Sequence, residues 1–218
     1  MKITLFTSNQ RRHNYLINFL SNNCSELFVI QECTTIFTGK NIGLYNKNNI
    51  IENYFKKVKK AEEKIFKEPH VKTLNKNIKL LPIKYGDLNN CDLKFLNNFL
   101  KSDIYIVFGS SFIKGPLLKF LIKKKAINIH MGISPFYKGA DCNFWALFDG
   151  NNDLVGATIH MLSKNLDSGD ILFHAISEKY NDLYVYSMSS VKSAFYGIRQ
   201  YIIKQKKKFT PKKQDLNL

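Results

Sequence analysis

No stretch of this chain approaches the roughly 20 consecutive apolar residues that a membrane-spanning helix needs, although aliphatic and aromatic residues with cysteine make up 44% of its 218 positions. A soluble protein with no membrane partner is expected. Cysteine is scarce: Cys24, Cys33, Cys91 and Cys142 lack the close pairing of a zinc site, and four in a chain of this length are no disulfide framework. They fit a reducing cytoplasm. Met1-Lys2 leads directly into Ile3-Thr4-Leu5-Phe6-Thr7, with no basic leader, apolar segment and small-residue cleavage site, so secretion is not expected and the cytoplasm is the expected location. Neither an internal repeat nor an interdomain linker interrupts the sequence, and its length suits one sizeable core. A single domain is expected over residues 1–205, followed by a basic tail, 206–218, whose lysines from Lys206 to Lys213 should fray.

Arginine is nearly absent. Arg11, Arg12 and Arg199 stand among 33 basic and 17 acidic residues, giving a formal net charge of +16. Most of the lysine excess reads as solvated surface, yet a positive field concentrates anions near the protein. Arg11 and Arg12 sit where a loop opens a helix, and guanidinium forks there suit phosphate, which makes both candidate substrate ligands.

What is present is alternation. Apolar strands at residues 3–6, 27–30, 78–83 and 104–108 are separated by helical patterns at 11–20, 50–66 and 93–100. This order predicts an α/β fold, a Rossmann-like, mostly parallel sheet with helices on both faces. Phe55, Val58, Glu62 and Ile65 share one face of the central helix. Residues 37–49, rich in Gly, Asn and Lys, read as a mobile loop, and 183–203 as a closing helix. Tyr180 to Tyr186 supply aromatic side chains that a homodimer interface could bury.

The chemistry concentrates between Ala126 and Leu172. Residues 126–130 form a short apolar strand on which Asn128 and His130 share a parity and therefore a face. A loop punctuated by Pro135 and Gly139 follows, then a helix around Trp145, then a β-branched strand at 155–161. The turn Asn165-Leu166-Asp167-Ser168-Gly169-Asp170 can fold Asp167 back over the first strand. Carboxamide, imidazole and carboxylate together suit acyl transfer to an amine, which needs a developing oxyanion stabilised and a proton moved off nitrogen. An Asp beside the imidazole would fix its tautomer and favour its charged form. His160 reads as structural within its strand, and Trp145 as packing.

Asn128-Ile129-His130, the loop ending in Pro135 and Lys138-Gly139, and Leu166-Asp167-Ser168-Gly169-Asp170-Ile171 resemble the Asn-x-His and Asp-x-Gly motifs of the folate-dependent formyltransferases. The resemblance implies Asn128, His130 and Asp167 as the catalytic trio and N10-formyltetrahydrofolate as co-substrate, with no metal. It places Gly109, Ser110, Ser111, Phe112, Ile113 and Gly169 at the folate pocket, and Lys138 and Gly139 on the acceptor side. One departure is Met131-Gly132, where the family usually carries Pro-Ser. Thr7 to Tyr15 lacks the glycines with which ribonucleotide formyltransferases cradle phosphate, and little chain follows the last helix to build the extra barrel of methionyl-tRNA formyltransferases. The segment Thr7-Ser8-Asn9-Gln10-Arg11-Arg12-His13 instead resembles the enzymes that formylate nucleotide-linked amino sugars, so the resemblance implies a dTDP-linked amino sugar for bacterial surface polysaccharide such as O-antigen, and no nucleic acid. A methionyl-tRNA or glycinamide ribonucleotide acceptor, and a non-catalytic basic binding protein of the same fold, are the alternatives.

Overall fold

The computed structural model describes residues 1–34, 49–67, 70–72, 75–203 and 209–215. Its centre is a seven-stranded sheet in the order β3-β2-β1-β4-β5-β6-β7, built from β1 (Lys2–Ser8), β2 (Glu26–Cys33), β3 (Ile78–Lys84), β4 (Ile104–Phe108), β5 (Ile127–His130), β6 (Ala157–Met161) and β7 (Ile171–Ala175). The first five strands are parallel, β6 runs antiparallel to both of its neighbours, and β7 runs in the direction of the first five. The helices are α1 (Arg11–Ser21), α2 (Asn49–Ile65), α3 (Leu93–Leu96), α4 (Gly115–Lys123), α5 (Cys142–Phe148) and α6 (Leu183–Ile203). The mostly parallel α/β sheet expected from the alternation is therefore present. The predicted helix at 93–100 is shorter: α3 gives way to a 3-10 turn, Asn97–Phe99.

Strand parity divides the core. Ile104, Ile106 and Phe108 of β4 face the cluster formed with α1, α2 and α6, whereas Tyr105 and Val107 face α3 and α4. Burial on both faces is why these strands read as continuous apolar runs. Leu16, Ile17 and Leu20 place the inner face of α1 on the sheet, and Leu117 and Leu121, one turn apart, do the same for α4. Phe66, Phe108 and Phe195 join the end of α2, the sheet and α6 through tilted and edge-on ring contacts at 5.3–5.9 Å.

The crossover from β3 back to β4 reverses the direction in which strands are added, and ligands of open α/β sheets bind at the strand carboxyl ends beside such a reversal. The cleft of this molecule lies there. Most of the 37–49 segment read as a mobile loop lies outside the described residues, Asn49 being the first residue of α2. The tail does not fray over its described part: Phe209 packs on Phe173 and Tyr201, and Lys212 bridges Ile171. Tyr186, expected to be available to an interface, is 3% exposed and packs inside with Ala146 and Val155. No helix among the described residues is long and apolar enough to cross a membrane.

Beneath the cleft, His13 is 2% exposed and stacks on Phe108 at 4.7 Å. Its Nδ1 accepts the Ser8 amide at 3.0 Å. Burial, reinforced by the Arg12 charge, drives its pKa well below the usual histidine value. Unfolded, the ring titrates near its ordinary value of about 6.5. Above that pH both states are neutral. Below it the unfolded chain binds a proton that the fold excludes, so stability falls by up to about 1.4 kcal/mol per pH unit until the folded pKa is reached. Thermal melts between pH 7.5 and 5 should show this decline, and His13→Asn, which can still accept the Ser8 amide, should flatten it. An equal slope in the variant would assign the decline to other groups.

Candidate active site

Pairing of β5 with β6 does what parity within β5 cannot: it sets Asn128 opposite His160 and His130 opposite Thr158. The turn between β6 and β7 then brings Asp167 over both, its backbone in the left-handed region at φ 46°. Asp167 Oδ2 lies 3.2 Å from His130 Nδ1 and accepts the Gly139 amide at 3.1 Å. Its Oδ1 accepts from Asn128 Nδ2 at 3.3 Å and lies 3.5 Å from His160 Nε2. The three residues expected to act together are thus within contact of one another. His160, read as structural, belongs to the same cluster: it is 1% exposed, its Nδ1 faces Met161 O at 2.8 Å, and its Nε2 meets Asn128 Nδ2 at 3.1 Å. Only the antiparallel register of β6 reveals this.

Both nitrogens of His130 face oxygen acceptors, Asp167 Oδ2 on one side and Tyr137 O at 2.9 Å on the other. A neutral ring can satisfy one and an imidazolium both. Burial pushes the His130 pKa down, while Asp167 and Tyr137 pull it up, and the balance lies below the usual value. The ring is then neutral at pH 7, with a partner in place for the second proton. Burial alone would raise the Asp167 pKa, but the His160 hydrogen bond, the His130 charge and the Gly139 amide outweigh it and leave it lowered.

The Met131-Gly132 departure has a structural counterpart in Cys142. Its thiol lies 3.6 Å from His130 Nε2, and a Cβ on Gly132 would fall 2.5 Å from Cys142 Cβ and 2.7 Å from His130 Nε2. Glycine leaves the space that the cysteine uses. Burial, with the nearby charges of Asp167 and Asp141, pushes the Cys142 pKa to about 12, so it remains a thiol.

One cleft of about 1150 Å³ takes in this cluster, and its other lining residues fall into two sets, or arms. One arm is lined by Val107, residues 109–113, Leu118 and Leu162. Gly109 has φ 65°, and a Cβ there would lie 2.2 Å from His13 Cε1, so both conformation and packing demand glycine. Glu32, fully buried at the end of β2, holds this loop through Ser111 N at 2.5 Å and Ser111 Oγ at 2.8 Å, and accepts Gly86 N at 2.9 Å. Nothing near Glu32 in sequence signals that role, because its partners lie 54 and 79 residues away.

The other arm carries Arg11, Arg12, Lys59, Tyr54, Phe55, Phe144, Phe148 and Tyr184. Tyr54 stands at its centre, its ring 5.1 Å from Phe55, 5.4 Å from Phe144 and 5.9 Å from Tyr184, its hydroxyl donating to Asp141 at 2.8 Å. The two arginines line the cleft as expected, but Arg12 is paired with Glu62 at 3.1 Å and Arg11 with Glu63 at 3.4 Å. Trp145 packs on Phe144 and Phe148.

Two expected contacts change. Lys138 is exposed and does not line the cleft. Gly169, expected at the folate pocket, packs against β6 instead: a Cβ there would fall 1.7 Å from Met161 O. Gly139 does line the cleft, with its amide engaged on Asp167.

Comparison with known proteins places this geometry. Residues 92–182 match the formyl transferase family. Over 119 residues the chain is 27% identical to a methionyl-tRNA formyltransferase of Synechococcus sp. (strain JA-3-3Ab), covering 53% of this chain and 37% of that protein. Over 79 residues it is 33% identical to the GDP-perosamine N-formyltransferase of Brucella melitensis, covering 36% and 30%. The chain therefore spans about a third of the length of these relatives. Among solved structures, phosphoribosylglycinamide formyltransferase from Anaplasma phagocytophilum aligns with TM-score 0.58 at 18% identity, over 95% of this chain and 88% of that one. The formyltransferase PseJ from Anoxybacillus kamchatkensis, solved with a UDP-linked formamido sugar and tetrahydrofolate, aligns with TM-score 0.52 at 19% identity, over 98% and 82%. Residues 92–182 are thus similar to the formyl transferase family, and the sheet around them has the fold of the solved formyltransferases.

Proposed function

We propose that this formyltransferase-fold chain is an N-formyltransferase that moves a formyl group from N10-formyltetrahydrofolate to the amine of a nucleotide-linked amino sugar, dTDP being the proposed carrier, for a bacterial surface polysaccharide. The observation that carries this reading is the Asn128–His130–Asp167 cluster in the wall of one cleft that the 109–113 loop and the Arg11, Arg12 and Tyr54 side chains also line. A pocket for one drug-sized ligand is about 300–1,000 Å³. This cleft, at about 1150 Å³, is larger than that.

The arm beside residues 109–113 fits the donor: apolar walls from Val107, Leu118 and Leu162 flank a loop fixed by Glu32. When bound, the folate supplies an activated formyl group. Asn128 and His130 offer N–H donors to the oxygen that gathers charge as the amine attacks. Asp167 orients the imidazole; the neutral ring would take the amine proton as the new C–N bond forms, its charged form sitting between Asp167 Oδ2 and Tyr137 O, and would give that proton to the folate nitrogen as the bond from the formyl carbon to it breaks. The second arm combines faces for stacking with cations for a diphosphate, a pairing that suits a nucleoside diphosphate carrier better than a lone ribose phosphate. A GDP-sugar enzyme among the relatives and a UDP-sugar complex among the structures support the same substrate class.

The test is release of tetrahydrofolate from the formyl donor with a panel of dTDP-, UDP- and GDP-linked 3-amino and 4-amino sugars. Methionyl-tRNA and glycinamide ribonucleotide serve as competing acceptors. Turnover with one sugar nucleotide is expected. Turnover confined to tRNA or to the ribonucleotide would transfer the proposal to that acceptor, and failure to bind the folate would end it.

A further inference from the structure

The described part of the tail reaches the catalytic turn. Phe209 anchors it, its ring 5.0 Å from Phe173 and 5.4 Å from Tyr201. Lys212 then pairs with Ile171 at the free edge of β7, each amide donating to the other's carbonyl at 2.7–2.8 Å. Two residues further, Gln214 Nε2 donates to Asp167 O at 2.9 Å and to Gly169 O at 2.6 Å. One side-chain amide thus grips the carbonyls on both sides of the turn that carries the Asp167 carboxylate. That carboxylate is delivered by a left-handed backbone, a conformation that aspartate tolerates and that the contacts of this turn hold in place. The grip has one workable orientation, because reversing the amide would set its oxygen against two carbonyl oxygens.

We propose that Gln214 is a positioning residue for formyl transfer, and that docking of the C-terminal segment on β7 completes the catalytic site by holding Asp167 against His130. The inference rests on the reaction proposed above, but the contact it concerns can be read without substrate. His130 is faced by Asp167 from the turn, His160 from β6 and Cys142 from α5. Of these, Asp167 is the one that Gln214 holds. Releasing the grip weakens the carboxylate's pull, so the His130 pKa should fall further.

The experiment compares wild type with Gln214→Ala and Gln214→Met, the latter removing both donors while keeping size and adding no charge. His130 ring titration is followed by NMR and tetrahydrofolate binding by calorimetry, with kcat measured on whichever acceptor the panel identifies. Both variants should lower the His130 titration by at least half a pH unit while binding tetrahydrofolate within about twofold of wild type, and kcat should fall about tenfold or more with its acid limb moved to lower pH. An unchanged titration, or a fall in folate binding and melting temperature as large as the fall in kcat, would overturn the proposal and leave Gln214 an edge contact. A shifted titration with no turnover on any acceptor would support the positioning role and count against the proposed reaction instead.

Discussion

His130→Ala is expected to lower turnover by at least about 10²- to 10³-fold, equivalent to roughly 2.7–4 kcal/mol of transition-state stabilisation. The residue is assigned two tasks in one event, donating to the developing oxyanion and receiving the amine proton. Alanine performs neither, and Asn128 cannot substitute as the base, because a carboxamide nitrogen donates and does not accept a proton. The chain should still fold. Asp167 keeps the Gly139 amide, Asn128 and His160 as partners, so no buried charge is stranded. Asp167→Asn should also be severe, but the losses should not add, since the carboxylate acts through the imidazole and removing either disables the pair. Single-turnover formyl transfer with saturating folate would measure each variant and the double variant. A His130→Ala enzyme within about threefold of wild type, bound normally to tetrahydrofolate, would remove His130 from the reaction. A product of the two single losses in the double variant would show that the residues act independently.

Gly169→Ala is expected to be the most damaging added methyl among the described glycines, lowering stability by on the order of 3 kcal/mol and abolishing most activity. The reason is the partner rather than the backbone angle. A Cβ would stand 1.7 Å from Met161 O and 2.8 Å from Met161 C. These are main-chain atoms of β6 and cannot turn aside as a side chain can. Met161 N also accepts no escape, since it donates to Asp170 O at 2.8 Å and ties the base of the same turn. Relief therefore requires the turn to lift from β6 and carry Asp167 away from His130. Urea denaturation should show the lost stability, and activity of the folded fraction should be reduced as well. If the folded fraction retained wild-type kcat, the turn would be shown to relax without moving Asp167, and packing at Gly169 would not be coupled to catalysis. Gly139→Ala provides the contrast: no atom lies within 4 Å of its added Cβ, so its cost comes from the φ of 94° alone.

The sequence determined by itself what is local or periodic. Alternating apolar runs specify the strands, and burial on both faces makes those runs readable without partners. Parity places Asn128 and His130 on one face because side chains alternate along any strand. The Asn-Asp-Ser-Gly composition marks the Asp167 turn, whose left-handed and tightly packed positions those residues accommodate. What only the tertiary structure decided is pairing between distant segments. His160 joined the site through the register of β6 on β5, which no spacing within β6 encodes. Glu32 reached Ser111 across 79 positions, and Gln214 reached Asp167 across 47. Lys138 and Gly169 lie in the motifs where they were sought, but one turns to solvent and the other into β6. Arg11 and Arg12, read as phosphate forks from their charge, meet Glu62 and Glu63 only because α2 packs beside α1. Periodicity fixes the direction in which a side chain leaves its own backbone, whereas the partner it meets depends on which segments the folded sheet brings within a few ångströms.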